Sequence, residues 1–372
     1  MRHAIIAASL LLSTSGAALA QNLDALRDSL DHLPATVLMQ EYGDLAYFVD
    51  VKVAAGLAGD DAEVRPFSRV LTGADMLALQ SLASSEAAEW ESKAGTTIDR
   101  VQYFAGYGRP PNVHSFWGLS DETAAADLIA ALETVGFESA GAPGVIGNGE
   151  PQRMDPSKRD PSDPWRTNIG AAQFAAASGT NVVQAQTPQA AMIAASQQPR
   201  LGENPIMHTA LSGLEQSVGD SQLVQAVVIS PLFGMTGLDP SAFLSPSADM
   251  DETKKKIEEQ MAALGSGIPP YLGGIVVDVQ HESQGVGIAL AYPDCEIAQQ
   301  AADSIAARWV DLAGDAAQGE ITAHTAEGEG GLCAATVSVY LNEDNAAQNP
   351  AYRAVVETYM RGQPGVLQIG QS

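Results

Sequence analysis

The same order of local patterns occurs twice along this chain: a strand, a short turn, a second strand and an Ala-rich helix. Each helix opens at an Asp residue, which is favourable at the positive end of a helix dipole. Two strands joined by a short turn pair in antiparallel fashion. The segments are strands at 98–105 and 113–119 with a helix over 121–135, and strands at 275–280 and 286–291 with a helix over 293–312.

The segments after each unit are also similar, because a strand-forming stretch and then a helix come next in both parts of the chain. In the first part these are 174–186 and a helix from Pro188. In the second part they are 332–341 and a helix from about Pro350. The sequence therefore predicts an α+β fold of two similar halves, each an antiparallel sheet with helices packed on one face, produced by an internal duplication.

The length of the chain favours this division. A single hydrophobic core rarely serves more than about 250–300 residues, and this chain has 372. Gln, Pro, Gly and Asn cluster near 197–205, a composition typical of a linker. We place the two α+β halves at 21–200 and 201–372.

Hydrophobic periodicity predicts further elements. Leucines recur at i, i+3, i+7 and i+10 over 22–33 and mark the apolar face of a helix that Pro34 ends. Three Pro-containing turns over 148–166 predict a long loop, which carries several Arg and Lys residues balanced by acidic ones. The other predicted elements are strands at 36–39, 45–53 and 222–230, and helices over 67–94, 204–218 and 250–264.

The first twenty residues have the pattern of a cleavable secretory signal. A short basic start precedes the apolar run Ala4–Leu12, which is shorter than the roughly 20 residues of a membrane-spanning helix. Ala18 and Ala20 supply the small residues that a signal peptidase requires. We therefore expect cleavage between Ala20 and Gln21, a periplasmic or secreted protein, and no transmembrane segment after cleavage. An uncleaved N-terminal anchor is the alternative.

Net charge restricts the kinds of partner that this chain can bind, and cysteine content indicates the redox state of its compartment. The formal net charge is −26, so phosphate-rich partners such as nucleic acids and anionic membrane surfaces are repelled. The two cysteines, Cys295 and Cys333, lie 38 residues apart. In an oxidising compartment an even pair predicts a disulfide bond. Two separate buried thiols are the alternative.

Motifs that carry chemistry are missing from the sequence. The serine-hydrolase pentapeptide, the zinc-protease and Cys-x-x-Cys patterns and the phosphate-binding loop do not occur. We therefore predict no catalytic residue, no metal site and no cofactor. A hydrolase with a dispersed active site is the alternative, and it requires that several of His114, Asp278, His281 and Glu282 converge in one cleft.

Five residues form the predicted binding set. Aromatic and Arg side chains on loops are typical of recognition surfaces. The set comprises Tyr107, Arg109 and Trp117 around a hairpin tip, and Trp165 and Arg166 at the end of the long loop. The alternative places Trp117 in the core and the others in solvent.

The favoured function is a non-catalytic periplasmic binding or protein-interaction module, with a protein or a small molecule as its partner. The periplasmic hydrolase and an envelope-structural protein remain open as alternatives. The missing motifs favour the binding module over the hydrolase.

Overall fold

One antiparallel sheet forms the centre of the molecule. The structure, a computed structural model, describes residues 15–39, 45–57, 67–74, 76–109, 112–196, 199–234, 267–342 and 345–370. The twelve described strands pair in the order β11-β12-β10-β9-β8-β1-β2-β3-β7-β6-β5-β4. They are β1 (Leu45–Asp50), β2 (Val101–Gly108), β3 (His114–Leu119), β4 (Glu138–Ser139), β5 (Val145–Gly147), β6 (Phe174–Ser178), β7 (Asn181–Ala185), β8 (Gln222–Ile229), β9 (Gly273–Gln280), β10 (Gln284–Tyr292), β11 (Gly319–Glu327) and β12 (Cys333–Leu341).

The strands of the two predicted halves belong to one sheet and not to two. β1 pairs with β8 in the middle of the sheet, with Tyr47 opposite Val227 and Val49 opposite Gln225. An unpaired β1 or β8 would expose a row of backbone N–H and C=O groups. Pairing the two strands satisfies those groups, so the expectation of separate sheets is corrected to a single continuous sheet.

Helices cover both faces of the sheet, which corrects the expectation that they pack on one face. Ten α-helices lie in the described residues, and short 3-10 turns connect several elements. The central strands are buried on both sides, as in β8, where seven consecutive residues are buried, so both faces need cover. The helices are α1 (Ser15–Leu30), α2 (Val51–Gly56), α3 (Leu77–Ser84), α4 (Ala87–Ala94), α5 (Glu122–Thr134), α6 (Pro188–Ala195), α7 (Pro205–Ser217), α8 (Pro231–Gly234), α9 (Cys295–Leu312) and α10 (Pro350–Met360).

The sheet separates two large apolar clusters, one on each of its faces. On the first face, α2 to α5, α9 and α10 pack on side chains such as Phe104, Val276 and Val337. On the second face, α1 and α7 pack on side chains such as Phe48 and Val277. Neighbouring residues Val276 and Val277 lie in different clusters because successive strand residues point to opposite faces. None of the described helices has the length and apolarity to cross a membrane.

The predicted leucine face of α1 is confirmed. Leu23, Leu26, Leu30 and Leu33 are each at most 1% exposed and belong to the cluster on the second face. The helix itself begins at Ser15, so it runs through the predicted cleavage point after Ala20. The leucines all lie beyond that point.

Several local predictions are corrected. The predicted strand at 36–39 is a 3-10 turn. β1 ends at Asp50, whose carboxylate accepts a hydrogen bond from the N–H of Val53 at 2.8 Å and starts α2 there. The predicted helix over 67–94 is divided between a 3-10 turn, α3 and α4. The predicted helix over 250–264 lies outside the described residues.

The predicted disulfide is present. Cys295 and Cys333 are bonded, with their Cα atoms 5.0 Å apart. The bond joins the first residue of α9 to the first residue of β12. It therefore fixes the start of a helix to the strand on which that helix packs.

A buried ion pair connects the two parts of the chain beneath the first face. The side chains of Arg69 and Asp278 are 2% and 0% exposed. The guanidinium donates from Nη2 to Oδ1 at 2.5 Å and from Nε to Oδ2 at 3.1 Å. Because two parallel N–H groups meet two oxygens, this pair has the strong bidentate geometry.

Amide side chains complete the surroundings of this ion pair. Gln225 donates to Asp278 Oδ2 at 2.9 Å, and Asn349 donates to Oδ1 at 2.6 Å. Arg69 also donates to Gln280 Oε1 at 2.5 Å. The buried carboxylate therefore accepts from three different side chains, which offsets the loss of its hydration.

Candidate ligand-binding cleft

Three stacked indole rings form a rigid base under the first face. Trp117 lies between Trp165, at a centroid distance of 4.7 Å, and Trp90, at 5.7 Å. All three are at most 1% exposed. Each indole N–H has an acceptor: Ser81 Oγ for Trp90, the Ala94 carbonyl for Trp165, and Gln184 Oε1 for Trp117. Buried indoles with satisfied N–H groups hold fixed positions.

The predicted long loop folds back onto this base. Asn148 Nδ2 donates to the Trp165 carbonyl at 2.8 Å, and Asn148 Oδ1 accepts from the N–H of Gln173 at 2.9 Å. Arg166 donates to the Asn148 carbonyl at 2.6 Å. One amide side chain thus connects both ends of the turn 166–172 and fixes it beside the sheet.

A cleft of about 270 Å³ opens between this turn, α3 and the edges of β3 and β7. Its lining combines amides and hydroxyls with three aliphatic side chains. None of the lining side chains carries a charge. They are Leu77, Gln80, Val113, Ser115, Thr167, Asn168, Ile169, Gln173, Gln184 and Gln186.

Several polar groups of the cleft are held by the fold. Gln184 accepts from Trp117 and donates to the Pro164 carbonyl at 2.7 Å. Thr167 Oγ1 accepts from the N–H of Ala171 at 2.9 Å. Gln173 donates from Nε2 to the Ala172 carbonyl at 3.0 Å. Polar groups that are already oriented lose little conformational freedom when a ligand binds.

The accessible surface of the cleft is mainly apolar, with amide and hydroxyl groups set among the aliphatic side chains. Amide and hydroxyl groups carry no net charge at any physiological pH. A volume of about 270 Å³ lies just under the range of about 300–1,000 Å³ that is common for ligand sites. The cleft therefore fits a small, neutral molecule that is largely apolar and carries a few donors or acceptors.

The structure separates the five residues of the predicted binding set. Trp117 and Trp165 belong to the core beneath the cleft, since the two rings are buried and stack on each other. Arg166 contacts the loop backbone beside them. Tyr107 packs with the cluster on the second face, and Arg109 is exposed at the hairpin tip. The set is therefore not one surface, and the two Trp side chains are not accessible to a partner.

Tyr107 belongs to a second aromatic array on the opposite face. Its ring stacks on His114 at 4.6 Å, and Phe116 lies 6.3 Å from it. His32, at the end of α1, lies 6.1 Å from Phe116. Burial raises the pKa of Tyr107 to about 12 and lowers the pKa of both His32 and His114.

Acidification is expected to destabilise the protein through these two histidines. A lowered folded-state pKa means that the unfolded chain binds protons first, so stability decreases as the pH falls below about 6.5. The loss of stability is complete once the pH is below the folded-state pKa values of the histidines. Each unit by which a folded-state pKa is lowered corresponds to about 1.4 kcal/mol of unfolding free energy before solvent screening. Urea unfolding from pH 7.5 to 5.0 should show a smaller decrease for the His32→Gln, His114→Gln double variant. Equal decreases would contradict the assignment.

The residues required by a dispersed hydrolase are not brought together. Asp278 is buried in the ion pair with Arg69. His281 and Glu282 are exposed in the turn between β9 and β10. His114 lies on β3, and three strands separate β3 from β9, a distance of about 19 Å at normal strand spacing. In the described part of the chain, no three His, Cys, Asp or Glu side chains are arranged to hold a metal ion.

Sequence reasoning missed the amide residues of the cleft. They come from four separate segments, so no local motif contains them. A signal was nevertheless present at the end of β7, where Gln184 and, directly after the strand, Gln186 alternate with the apolar residues Val183 and Ala185. A polar side chain at a core-facing position of a buried strand indicates a specific hydrogen bond or a site.

Comparisons with known proteins identify no family for this chain. No family model matches it, and no curated protein matches it. The solved structure described as "Structure of crystal form I of TP0453" is similar over 88% of this chain and 98% of that chain, with 11% sequence identity and a TM-score of 0.35. A similarity of this strength assigns neither a fold nor an activity.

Proposed function

We propose that this protein is an exported, non-catalytic binding protein that holds a small neutral molecule in the amide-lined cleft. One observation carries the proposal: a cleft of about 270 Å³ has only uncharged side chains in its lining, although 17% of the chain is charged. Charged ligands are usually paired with opposite charges. A mainly apolar surface with a few amides and hydroxyls therefore supports a neutral ligand with an apolar part and a small number of hydroxyl or amide groups.

Two features support export. Residues 1–20 have the composition of a cleavable signal, and the disulfide between Cys295 and Cys333 is of the kind that persists in oxidising compartments. Cleavage after Ala20 would keep the buried residues Leu23, Leu26 and Leu30 of α1 in the mature chain. We therefore propose the periplasm or the extracellular space as the location.

We also propose that the chain arose by internal duplication of an α+β unit, with halves at 21–200 and 201–372. The pairing order supports this, because β1-β2-β3-β7-β6 and β8-β9-β10-β12-β11 run outward from the centre in the same sequence of connections. A helix precedes the first strand and follows the last long strand of each set. On this proposal the cleft belongs to the first half.

The ligand proposal is tested by native mass spectrometry of the protein purified from its own envelope, with a thermal-shift panel on the same sample. The denatured mass should correspond to a chain that starts at Gln21. The panel contains neutral sugars and neutral dipeptide amides, each beside a phosphorylated or carboxylated counterpart. We expect a retained small molecule in the native spectrum and stabilisation by neutral compounds only.

A pair of isosteric variants tests the location of the site. Gln186→Glu places a charge in the cleft, and Gln102→Glu makes the same change at an exposed position of β2. An unmatched charge in a site built for neutral groups costs about 1–3 kcal/mol, so Gln186→Glu should weaken binding roughly tenfold or more, while Gln102→Glu should not. Equal effects of the two variants, or stabilisation by charged compounds alone, would contradict the proposal.

A further inference from the structure

The two edges of the sheet differ in a way that points to a second interaction. One edge is β4, a strand of two residues. The other is β11, which has nine residues and pairs in unbroken register with β12 from Gly319 to Glu327. Among the described residues no strand pairs with the outer side of β11.

Natural proteins usually protect a free edge by keeping it short, by a bulge, by covering it, or by Pro and charged residues, above all Lys, on the strand. The charged residues of β11 are Glu320 and Glu327, which disfavour pairing with acidic chains only. The strand β11 has no Pro and no Lys, and its register with β12 contains no bulge. An edge strand directs about half of its backbone N–H and C=O groups away from the sheet. Those groups form a template of donors and acceptors that an extended chain can match.

The charge around this edge determines which kind of chain fits. Between Trp309 and Leu332 the chain carries five acidic residues and no Lys or Arg. Two of the acidic residues, Glu320 and Glu327, are exposed on β11 itself. A second copy of this chain would bring two acidic edges together, which is unfavourable. A segment with Lys or Arg would complement them.

Apolar surface lies next to the same edge. α9 packs on β11, and its last turn exposes Val310 at 60% and Leu312 at 51%. Gln318, directly before β11, donates to the Val310 carbonyl at 3.2 Å, so this turn lies beside the start of the strand. Ile321 and Ala323 are only partly buried on the face toward α9. An added strand could cover these side chains.

We propose that the outer edge of β11 docks an extended, basic segment of another protein, which adds to the sheet as a further antiparallel or parallel strand. Backbone hydrogen bonds supply the affinity, and Glu320 selects Lys or Arg on the face of the strand opposite to Ile321 and Ala323. Glu327 adds negative charge at the end of the strand. Small apolar residues at alternate positions of that segment contact Ile321 and Ala323. This interaction is independent of the cleft, which lies in the other part of the chain.

The test uses the full mature chain and three labelled peptides of about eight residues, a common strand length, in fluorescence anisotropy. The first alternates Lys with Val and Thr, the second replaces each Lys with Glu, and the third repeats the first with every backbone nitrogen methylated, so that neither edge of the peptide keeps its donors. We expect binding of the first peptide alone. Methylation retains the charge and removes the donors, so equal binding of the first and third peptides would overturn strand addition.

Variants and hydrogen exchange locate the contact. Glu320→Lys with Glu327→Lys should weaken binding of the basic peptide about tenfold or more, because reversing the charge at the edge replaces attraction by repulsion. Glu133→Lys with Glu138→Lys makes the same charge change at exposed positions far from β11 and is the control, which should bind as the parent does. Bound peptide should slow deuterium exchange at amides of β11. Slow exchange of all β11 amides in the free protein would show that the edge is already covered, and would overturn the proposal.

Discussion

Replacing Asp278 with Ala is expected to lower the free energy of unfolding by about 3–5 kcal/mol, measured by urea denaturation at neutral pH. The carboxylate is fully buried and bonded to Arg69, Gln225 and Asn349. Its removal leaves the Arg69 guanidinium in a site that is only 2% exposed. Breaking a buried pair by removing one partner costs this much because the remaining charge is uncompensated.

Two controls distinguish this cause from a general loss of packing. Glu357→Ala removes the exposed ion pairs with Arg353 and Arg361 and should cost less than about 1 kcal/mol. The double variant Arg69→Met with Asp278→Leu removes both charges and should be more stable than either single variant. If the double variant is destabilised by the sum of the two single changes, the two charges do not act as a pair.

Replacing Cys295 with Ser is expected to lower the free energy of unfolding by about 4 kcal/mol under oxidising conditions. The disulfide to Cys333 closes a loop with a sequence separation of 38 residues, and the chain-entropy model gives about this value for such a loop. The constraint acts mainly on the unfolded chain, which gains conformational freedom when the bond is absent. Urea denaturation with and without reductant measures the effect.

The parent protein treated with reductant provides the matched comparison. Its stability should decrease to that of Cys295→Ser, and the variant itself should not respond to reductant. An unchanged stability of the oxidised parent after reduction would contradict a stabilising role for the bond. Because Cys333 is buried and Cys295 is only partly buried, Cys295 is the position where Ser disturbs packing least.

Elements with a strong local signal could be predicted from the sequence. The leucines of α1 recur at helical spacing, and Asp121 and Asp294 stand directly before helices that their side chains cap. Short apolar runs are ambiguous, and the run at 36–39 favours a strand although it forms a 3-10 turn. The strand β11 has few apolar residues, and its extended form depends on pairing with β12 rather than on its own composition.

The cleft could not be predicted for a different reason. Trp165 follows a loop rich in Pro and charged residues, and such loops usually lie in solvent. The burial of Trp165 depends on Asn148 and on stacking with Trp117, which are distant contacts. The lining residues come together only after that loop has folded back. Local patterns report secondary structure well, but they do not report which separate segments will meet.

The pairing of β1 with β8 at the centre of the sheet also has a consequence for synthesis. Tyr47 lies opposite Val227. β1 therefore cannot pair with β8 until the residues between the two strands have been synthesised. At about 5–20 residues per second this interval is on the order of ten seconds or more. Such distant pairing slows folding and leaves a strand edge open meanwhile. A nascent chain of this design therefore benefits from a holding chaperone until β8 emerges, and fragments that end before Gln222 should aggregate.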